Sequence, residues 1–241
     1  MHTYRQIIAR LKRKANTRNV AGMARFGINT KATLGISVND LRVLAKEIGK
    51  NHELAQRLWR SGIHEARILA ALIDEPDRIT SRQLERWAND FDSWDICDQV
   101  SGLFERTPLG REKIPQWAKS GREFVKRAAF AMIAGLAVHD KTAPDRLFER
   151  YLQIIKRAAI DDRNFVKKAV NWALRGIGKR NRALNRRAIA VATEVKAIDS
   201  RAARWIAADA LRELTSSAVQ KRLAERKKPS ARGVDSADGQ L

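Results

Sequence analysis

Cysteines and long apolar runs are both scarce in this chain of 241 residues. Its single cysteine, Cys97, excludes an intramolecular disulfide and any zinc or iron–sulfur site built from several thiolates. No run of about 20 apolar residues, the length that spans a bilayer, is present. The basic N-terminal segment alternates with apolar residues, which predicts a helix rather than a hydrophobic leader. We therefore expect a protein with no membrane segment.

Acidic residues are also few, because 27 Asp and Glu face 48 Lys and Arg and leave a formal net charge of +21. Such an excess favours a polyanionic partner and fast, salt-sensitive association. Hydrophobic residues make up 44% of the chain, which is enough for a substantial core and excludes a disordered basic tail. We expect a cytoplasmic, nucleoid-associated protein that binds nucleic acid.

Alternation of period two, the mark of β-strands, is absent, and the apolar residues recur with helical spacing nearly throughout. Three capping boxes mark helix starts, at Ser37 with Asp40, Thr80 with Gln83, and Ser120 with Glu123. The pattern predicts fourteen helices, at about 3–15, 19–26, 38–48, 51–60, 63–73, 81–90, 93–105, 109–119, 122–138, 144–158, 163–178, 182–196, 199–214 and 215–226. Residues 227–241 lack an apolar period, and we expect a disordered tail there.

Two of these helices repeat each other. REFVKRAAFAMIAGL from Arg122 aligns without gaps on RNFVKKAVNWALRGI from Arg163, a displacement of 41 residues. That period is typical of the antiparallel helix pairs of HEAT and armadillo repeats, which stack into two layers. The prediction is an all-α, curved, right-handed solenoid of HEAT-like or armadillo-like pairs, forming one domain over residues 1–226.

The segment from Arg163 to Arg187 carries nine Lys or Arg and no acid. On a helix its apolar stripe lies about a third of a turn from Trp172, which is surrounded by cations. An aromatic side chain among cations, outside the core stripe, favours contact with a nucleic acid. The candidate contacts are Phe165, Lys168, Arg175, Lys179, Arg180 and Arg182.

A carboxylate and a second tryptophan share a helix face in FDSWDICDQVSGLF, which begins at Phe91. Trp94 and Asp98 are four residues apart and lie nearly opposite the apolar stripe. Asp95 points elsewhere and is predicted to cap the first turn together with Asp92. The ordinary alternatives are a salt bridge from Asp98 to an arginine, and packing of Trp94 and Trp172 between helices.

These motifs resemble the DNA alkylation repair glycosylases of the AlkD type over roughly residues 20–225. The matching elements are Ser93-Trp94-Asp95-Ile96-Cys97-Asp98, Val125-Lys126-Arg127-Ala128-Ala129 and Lys168-Ala169-Val170-Asn171-Trp172-Ala173-Leu174-Arg175. The resemblance implies that Asp98 is the catalytic aspartate, that Trp94 and Trp172 flank the deoxyribose of the lesion, and that Arg127 holds the adjacent backbone. The interval between Trp94 and Arg127 is short for the family, so Lys126 is an alternative to Arg127. The family also has a tyrosine near the start of the cleft, where this sequence offers Phe26.

The activity implied by the resemblance is excision of N3- and N7-alkylated purines from duplex DNA. A carboxylate would stabilise positive charge on the sugar, and the arginine would hold a phosphate. This chemistry requires no metal and no cofactor, and we expect a monomer whose partner is double-stranded DNA with alkylated bases.

Other functions fit parts of the sequence. A non-catalytic HEAT-like module that binds DNA or RNA would explain the charge and the aromatic residues, but not the pairing of Trp94 with Asp98. A metal-dependent nuclease would use Asp92, Asp95 and Asp98, although their helical directions diverge and no histidine is close in the sequence. A protein-binding scaffold would not need so large a net charge.

Overall fold

The computed structural model describes residues 2–225, and the predicted tail at 227–241 lies outside them. The described part is helical, with no β-strand. Its α-helices are α1 (Tyr4–Arg13), α2 (Thr17–Ala24), α3 (Val38–Ile48), α4 (His52–Arg60), α5 (His64–Ile73), α6 (Ser81–Asn89), α7 (Trp94–Phe104), α8 (Pro108–Trp117), α9 (Glu123–His139), α10 (Asp145–Ala158), α11 (Asn164–Gly178), α12 (Arg182–Lys196), α13 (Arg201–Leu214) and α14 (Ser217–Glu225). A short 3₁₀ turn at Pro76–Arg78 joins α5 to α6. The fourteen helices predicted from the sequence are confirmed.

The helices form two packed layers. In the first layer α3, α5, α7, α9, α11 and α13 lie side by side, each against the next. Behind them, α4 packs on α5, α8 on α9, and α10 and α12 on α11. This is the stacked-pair solenoid that the 41-residue repeat predicts, and the two repeating segments are the neighbouring first-layer helices α9 and α11.

Polar side chains set the helix starts. Ser37 accepts the backbone N–H of Asp40, and Thr80 accepts that of Gln83, as the sequence predicts. The predicted cap at Ser120 is wrong, because its hydroxyl accepts the N–H of Arg122 and α9 begins only at Glu123. The Glu123 carboxylate instead accepts the N–H of Phe165 at the start of α11, a contact between helices that local spacing does not reveal.

The interior between the layers is apolar and contains a chain of aromatic rings. Trp59 of α4 stacks on Trp87 of α6 at 4.1 Å between centroids, and Trp87 contacts Phe104 of α7 at 6.2 Å. Phe104 in turn contacts Trp117 of α8. Because these three tryptophans are buried, the other three, Trp94, Trp172 and Trp205, are the ones that reach the surface of the first layer.

Candidate functional site

Asp98 and Arg127 form a two-bonded ion pair between α7 and α9. The Arg127 Nε and Nη2 donate to Asp98 Oδ1 and Oδ2, each at 2.8 Å. Arg127 Nη1 donates to the carbonyl oxygen of Phe165 on α11 at 2.7 Å. Arg127 is only 6% exposed. One guanidinium therefore ties three neighbouring first-layer helices together and fixes the direction of the Asp98 carboxylate.

Burial and pairing act in opposite directions on these two groups. Burial raises the pKa of Asp98 above its usual value, and the bonds from Arg127 oppose that rise. Burial disfavours the charge on Arg127, yet the bonds from Asp98 raise its pKa. The pair can form further hydrogen bonds, because a guanidinium has five N–H donors and a carboxylate has about four acceptor positions. Two donors of Arg127 and roughly two acceptor positions of Asp98 are left for a ligand.

Equivalent positions on four adjacent helices place this pair in a line with two other side chains, Lys168 and Trp205. Asp98, Arg127, Lys168 and Trp205 are each the fifth residue after the N-cap of α7, α9, α11 and α13. We call these four residues the +5 row. Because the four helices are neighbours in one layer, the row runs across the first layer.

Aromatic side chains from the N-terminal ends of α7, α9 and α11 lie near the ion pair. Trp94, the first residue of α7, is half-buried, and its ring centroid lies 5.7 Å from Arg127 Cζ. On the other side the Phe165 ring contacts that of Phe124, with 5.6 Å between centroids. Phe165, predicted as a contact for nucleic acid, thus forms part of the wall beside Arg127.

A turn after α2 joins this aromatic wall. The sequence did not predict this contact. The Trp94 indole N–H donates to the Phe26 carbonyl at 3.0 Å. Gly27 has φ +73° and lies against Phe165, where a Cβ atom would come within 2.7 Å of the ring. The Phe26 side chain is 70% exposed. The turn therefore spans from Trp94 to Phe165, and the glycine is what allows it to lie so close.

Trp172 lies on α11 one helical turn after Lys168, and 38% of it is exposed. Its neighbours in sequence, Asn171 and Ala173, are buried. The alternative in which Trp172 packs between helices therefore applies to the covered part of the side chain, while the rest of it faces solvent. Lys168 is exposed as well. Together they present a flat apolar surface and a cation on the face that carries the ion pair.

The remaining predicted DNA contacts differ in their surroundings. Lys179 Nζ donates to Glu213 at 2.6 Å, and Arg175 donates to the same carboxylate at 2.5 Å. Burial alone would raise the pKa of Glu213, but the two cations lower it. Arg182, at the start of α12, is exposed. Any phosphate near Arg175 or Lys179 would compete with an ionised carboxylate on α13.

Two predicted cations have other roles in the structure. Arg180 donates to the carbonyl oxygens of Ala137 and Ala143, both at 3.1 Å, and lies over the Phe148 ring. Lys126 pairs with Asp161 at 2.8 Å. This placement favours a structural role for Arg180. It also favours Arg127 over Lys126 as the cation of the site, because Arg127 contacts Asp98 and Lys126 does not.

The prediction that Asp95 caps the first turn of α7 is confirmed in part, because its Oδ1 accepts the N–H of Ile96 at 3.0 Å. A histidine that is distant in the sequence also lies beside it. Asp95 is buried and its Oδ2 lies 2.8 Å from His64 Nε2 on α5. Asp92 accepts a hydrogen bond from the Asn29 side chain. Because Asp92, Asp95 and Asp98 each bind a different partner, they do not converge, and residues 2–225 contain no group of three possible metal ligands. Within the same range, no helix is long and apolar enough to cross a membrane.

Comparison with known proteins agrees with this geometry. Residues 7–214 match the family model described as DNA alkylation repair enzyme, so the chain belongs to that family. Among curated proteins no significant match was found.

A solved structure shares the fold. It belongs to a new family of proteins related to the HEAT-like repeat DNA glycosylases with affinity for branched DNA structures. It is 19% identical, with a TM-score of 0.73 over 88% of this chain and 95% of its own. A designed armadillo repeat protein in complex with the peptide (KR)4 is 13% identical, with a TM-score of 0.35 over 76% of this chain and 88% of its own.

Proposed function

We propose that this protein is a monofunctional DNA glycosylase that excises N3- and N7-alkylated purines from duplex DNA. One observation carries the proposal. In a member of the DNA alkylation repair enzyme family, a half-buried carboxylate is held by a two-bonded arginine, with a tryptophan on the same helix and an exposed tryptophan two helices away. A highly basic protein gains nothing for phosphate binding from a negative charge here, which favours a role in chemistry.

The substrate makes the reaction compatible with so small a set of groups. A purine alkylated at N3 or N7 is cationic and departs as a neutral base, so little acid catalysis is needed. Positive charge then develops on the deoxyribose. The outward acceptor positions of the Asp98 carboxylate would stabilise this oxocarbenium ion and orient the attacking water.

Arg127 can serve both Asp98 and the DNA backbone. Three of its donors hold Asp98 and the Phe165 carbonyl, which leaves two for a phosphate oxygen. A phosphate bound there would lie next to the carboxylate without touching it. The guanidinium would thereby offset the repulsion that otherwise drives Asp98 away from DNA.

The two tryptophans would flank the sugar cation. An indole face attracts a cation through its quadrupole, and the attraction strengthens when water is excluded. Trp94 already faces the Arg127 cation, so its ring is oriented toward positive charge before any DNA binds. Trp172 is exposed and remains available to the ligand.

Release of free base is the test of this proposal. Duplex DNA carrying 7-methylguanine should lose the free base and gain abasic sites when incubated with the protein. Trp94→Ala and Trp172→Ala should each slow release about fivefold to thirtyfold, since a desolvated cation–π contact contributes about 1–2 kcal/mol. Val138→Ala is the control, because Val138 is an exposed apolar residue at the C-terminal end of α9, eleven residues along the helix from Arg127. Wild-type protein that binds this DNA but releases no base would refute the proposal.

A second function has its own support. The Asp98 carboxylate is neutralised by Arg127 in the free protein, as a purely structural pair would be. The solved structure with a TM-score of 0.73 belongs to a family with affinity for branched DNA. A non-catalytic module that binds branched DNA is therefore the alternative, and tight binding to a four-way junction without base release would favour it.

A further inference from the structure

Trp205 is the exposed tryptophan that the proposed chemistry does not use. It is 41% exposed, whereas the α13 residues that face the core are buried, among them Ala202, Ile206 and Ala210. No described residue accepts a hydrogen bond from its indole N–H. The packing of α13 against the rest of its repeat is therefore supplied mainly by the opposite face of the helix.

A lysine from the neighbouring helix lies over this indole. Lys167 Nζ of α11 is 5.1 Å from the centroid of the Trp205 ring. The next residue, Lys168, belongs to the +5 row and is exposed. Arg201, at the start of α13, is exposed as well. Movement of the Lys167 ammonium from the ring toward a phosphate would leave an aromatic face bordered by cations, which is what a stacked nucleobase and its phosphate require.

The position of Trp205 separates it from the ion pair. It occupies the same row as Asp98 but lies three helices away. At about 8–10 Å between packed helices, the separation is roughly 24–30 Å. That corresponds to about seven to nine base pairs of duplex at 3.4 Å each. A duplex whose base is held at Asp98 would reach Trp205 almost one helical turn away.

We propose that Trp205 and Lys167 form a second nucleic-acid site that stacks an unpaired base where a strand leaves the duplex. A base inside a duplex is already stacked on both faces and offers the indole only its edge. An unpaired base offers a full face, and its phosphate lies within reach of the Lys167 ammonium. This inference requires DNA along the +5 row but does not require Asp98 to be catalytic.

Binding to two matched DNAs tests the site in the full chain. One is a blunt duplex, and the other is the same duplex with a short oligo-dT overhang. Wild type should bind the overhang DNA about fivefold or more tightly, since each base stacked on an aromatic ring contributes at least that much. Trp205→Ala should remove this gain and leave blunt-duplex binding unchanged, while Trp205→Phe should retain most of it.

Lys167→Gln supplies a second readout. It should reduce the log–log salt slope for overhang DNA by about 0.7, the value for one phosphate of a single strand. Lys221→Gln is the control, because Lys221 is an exposed lysine on α14 outside the row. Quenching of tryptophan fluorescence by oligo-dT should fall in Trp205→Phe.

The outcomes distinguish this inference from the proposed glycosylase. If wild type binds the overhang DNA no more tightly than the blunt duplex, or if Trp205→Ala keeps that difference in affinity, the second site is overturned whether or not base release is observed. A gain that depends on Trp205 would support the site even if no base is released. Failure to bind either DNA would overturn the second site and the proposed function together.

Discussion

Replacing Asp98 with asparagine should increase the affinity of the protein for DNA while lowering its stability. In the wild type, Asp98 and Arg127 neutralise each other. The substitution leaves a guanidinium with a full positive charge and at least one further unused donor. A phosphate near Arg127 then meets a net charge of one instead of zero.

The salt dependence gives the size of this effect on binding. One additional neutralised phosphate should steepen the log–log salt slope by about 0.9, which corresponds to a threefold to tenfold gain in affinity near 0.1 M salt. Stability should fall by about 1.5–3 kcal/mol, the contribution of a hydrogen bond to a charged group. Arg127 is buried and would keep the Phe165 carbonyl and one amide oxygen as acceptors.

Fluorescence anisotropy of labelled duplex across a salt series measures the first effect, and urea unfolding measures the second. Asp92→Asn is the matched control, because Asp92 lies just before α7, is exposed and carries the same charge. Salt should screen the effect of the Asp92 charge on DNA affinity. An Asp98→Asn salt slope equal to that of wild type would show that Arg127 does not reach a phosphate and would refute this reasoning.

Four further predictions concern charged side chains of the candidate site and the helices around it. Burial raises the pKa of Asp98, so the carboxylate that we propose as catalytic forms at a higher pH than in an ordinary aspartate. The acid limb of kcat should therefore lie above about pH 4 and vanish in Asp98→Asn. Glu213→Gln should strengthen duplex binding, because Glu213 competes with phosphate for Lys179. In the same anisotropy titrations, Lys168→Ala should weaken duplex binding more than Lys179→Ala does. Burial alone would raise the pKa of Asp161, but hydrogen bonds and charges from Arg163 and Lys126 lower it to about 2. Asp161 should therefore stabilise the fold above about pH 4 and lose this effect toward pH 2. Asp161→Asn should therefore cost on the order of 1 kcal/mol at pH 7 after solvent screening, with the difference from wild type closing at low pH in urea unfolding.

The helices were predictable because their signals are local. Apolar spacing and the N-caps at Ser37 and Thr80 depend on residues close in sequence, and the 41-residue repeat is visible by direct alignment of two segments. The capping box predicted at Ser120 with Glu123 is wrong because the Glu123 carboxylate has its partner on the next helix of the layer. Long-range contacts of this kind leave no trace in local periodicity.

The candidate site was predictable in its members but not in their pairing. Helical direction placed Trp94 and Asp98 together, and the repeat placed Arg127 in the layer of Lys168. The contact between Asp98 and Arg127 spans 29 residues, and the burial of Asp95 against His64 spans 31. Such partners depend on which helices the fold brings together, so the sequence could offer a salt bridge for Asp98 only as an alternative.

Single-turnover release of 7-methylguanine at saturating protein tests the central claim most directly, because saturation removes differences in affinity. Wild type should release the base, and Asp98→Asn should release it about a hundredfold to a thousandfold more slowly, the usual worth of an electrostatic stabiliser. Asp92→Asn should match wild type. Equal rates for wild type and Asp98→Asn would contradict the assignment of Asp98 as the group that stabilises the sugar cation.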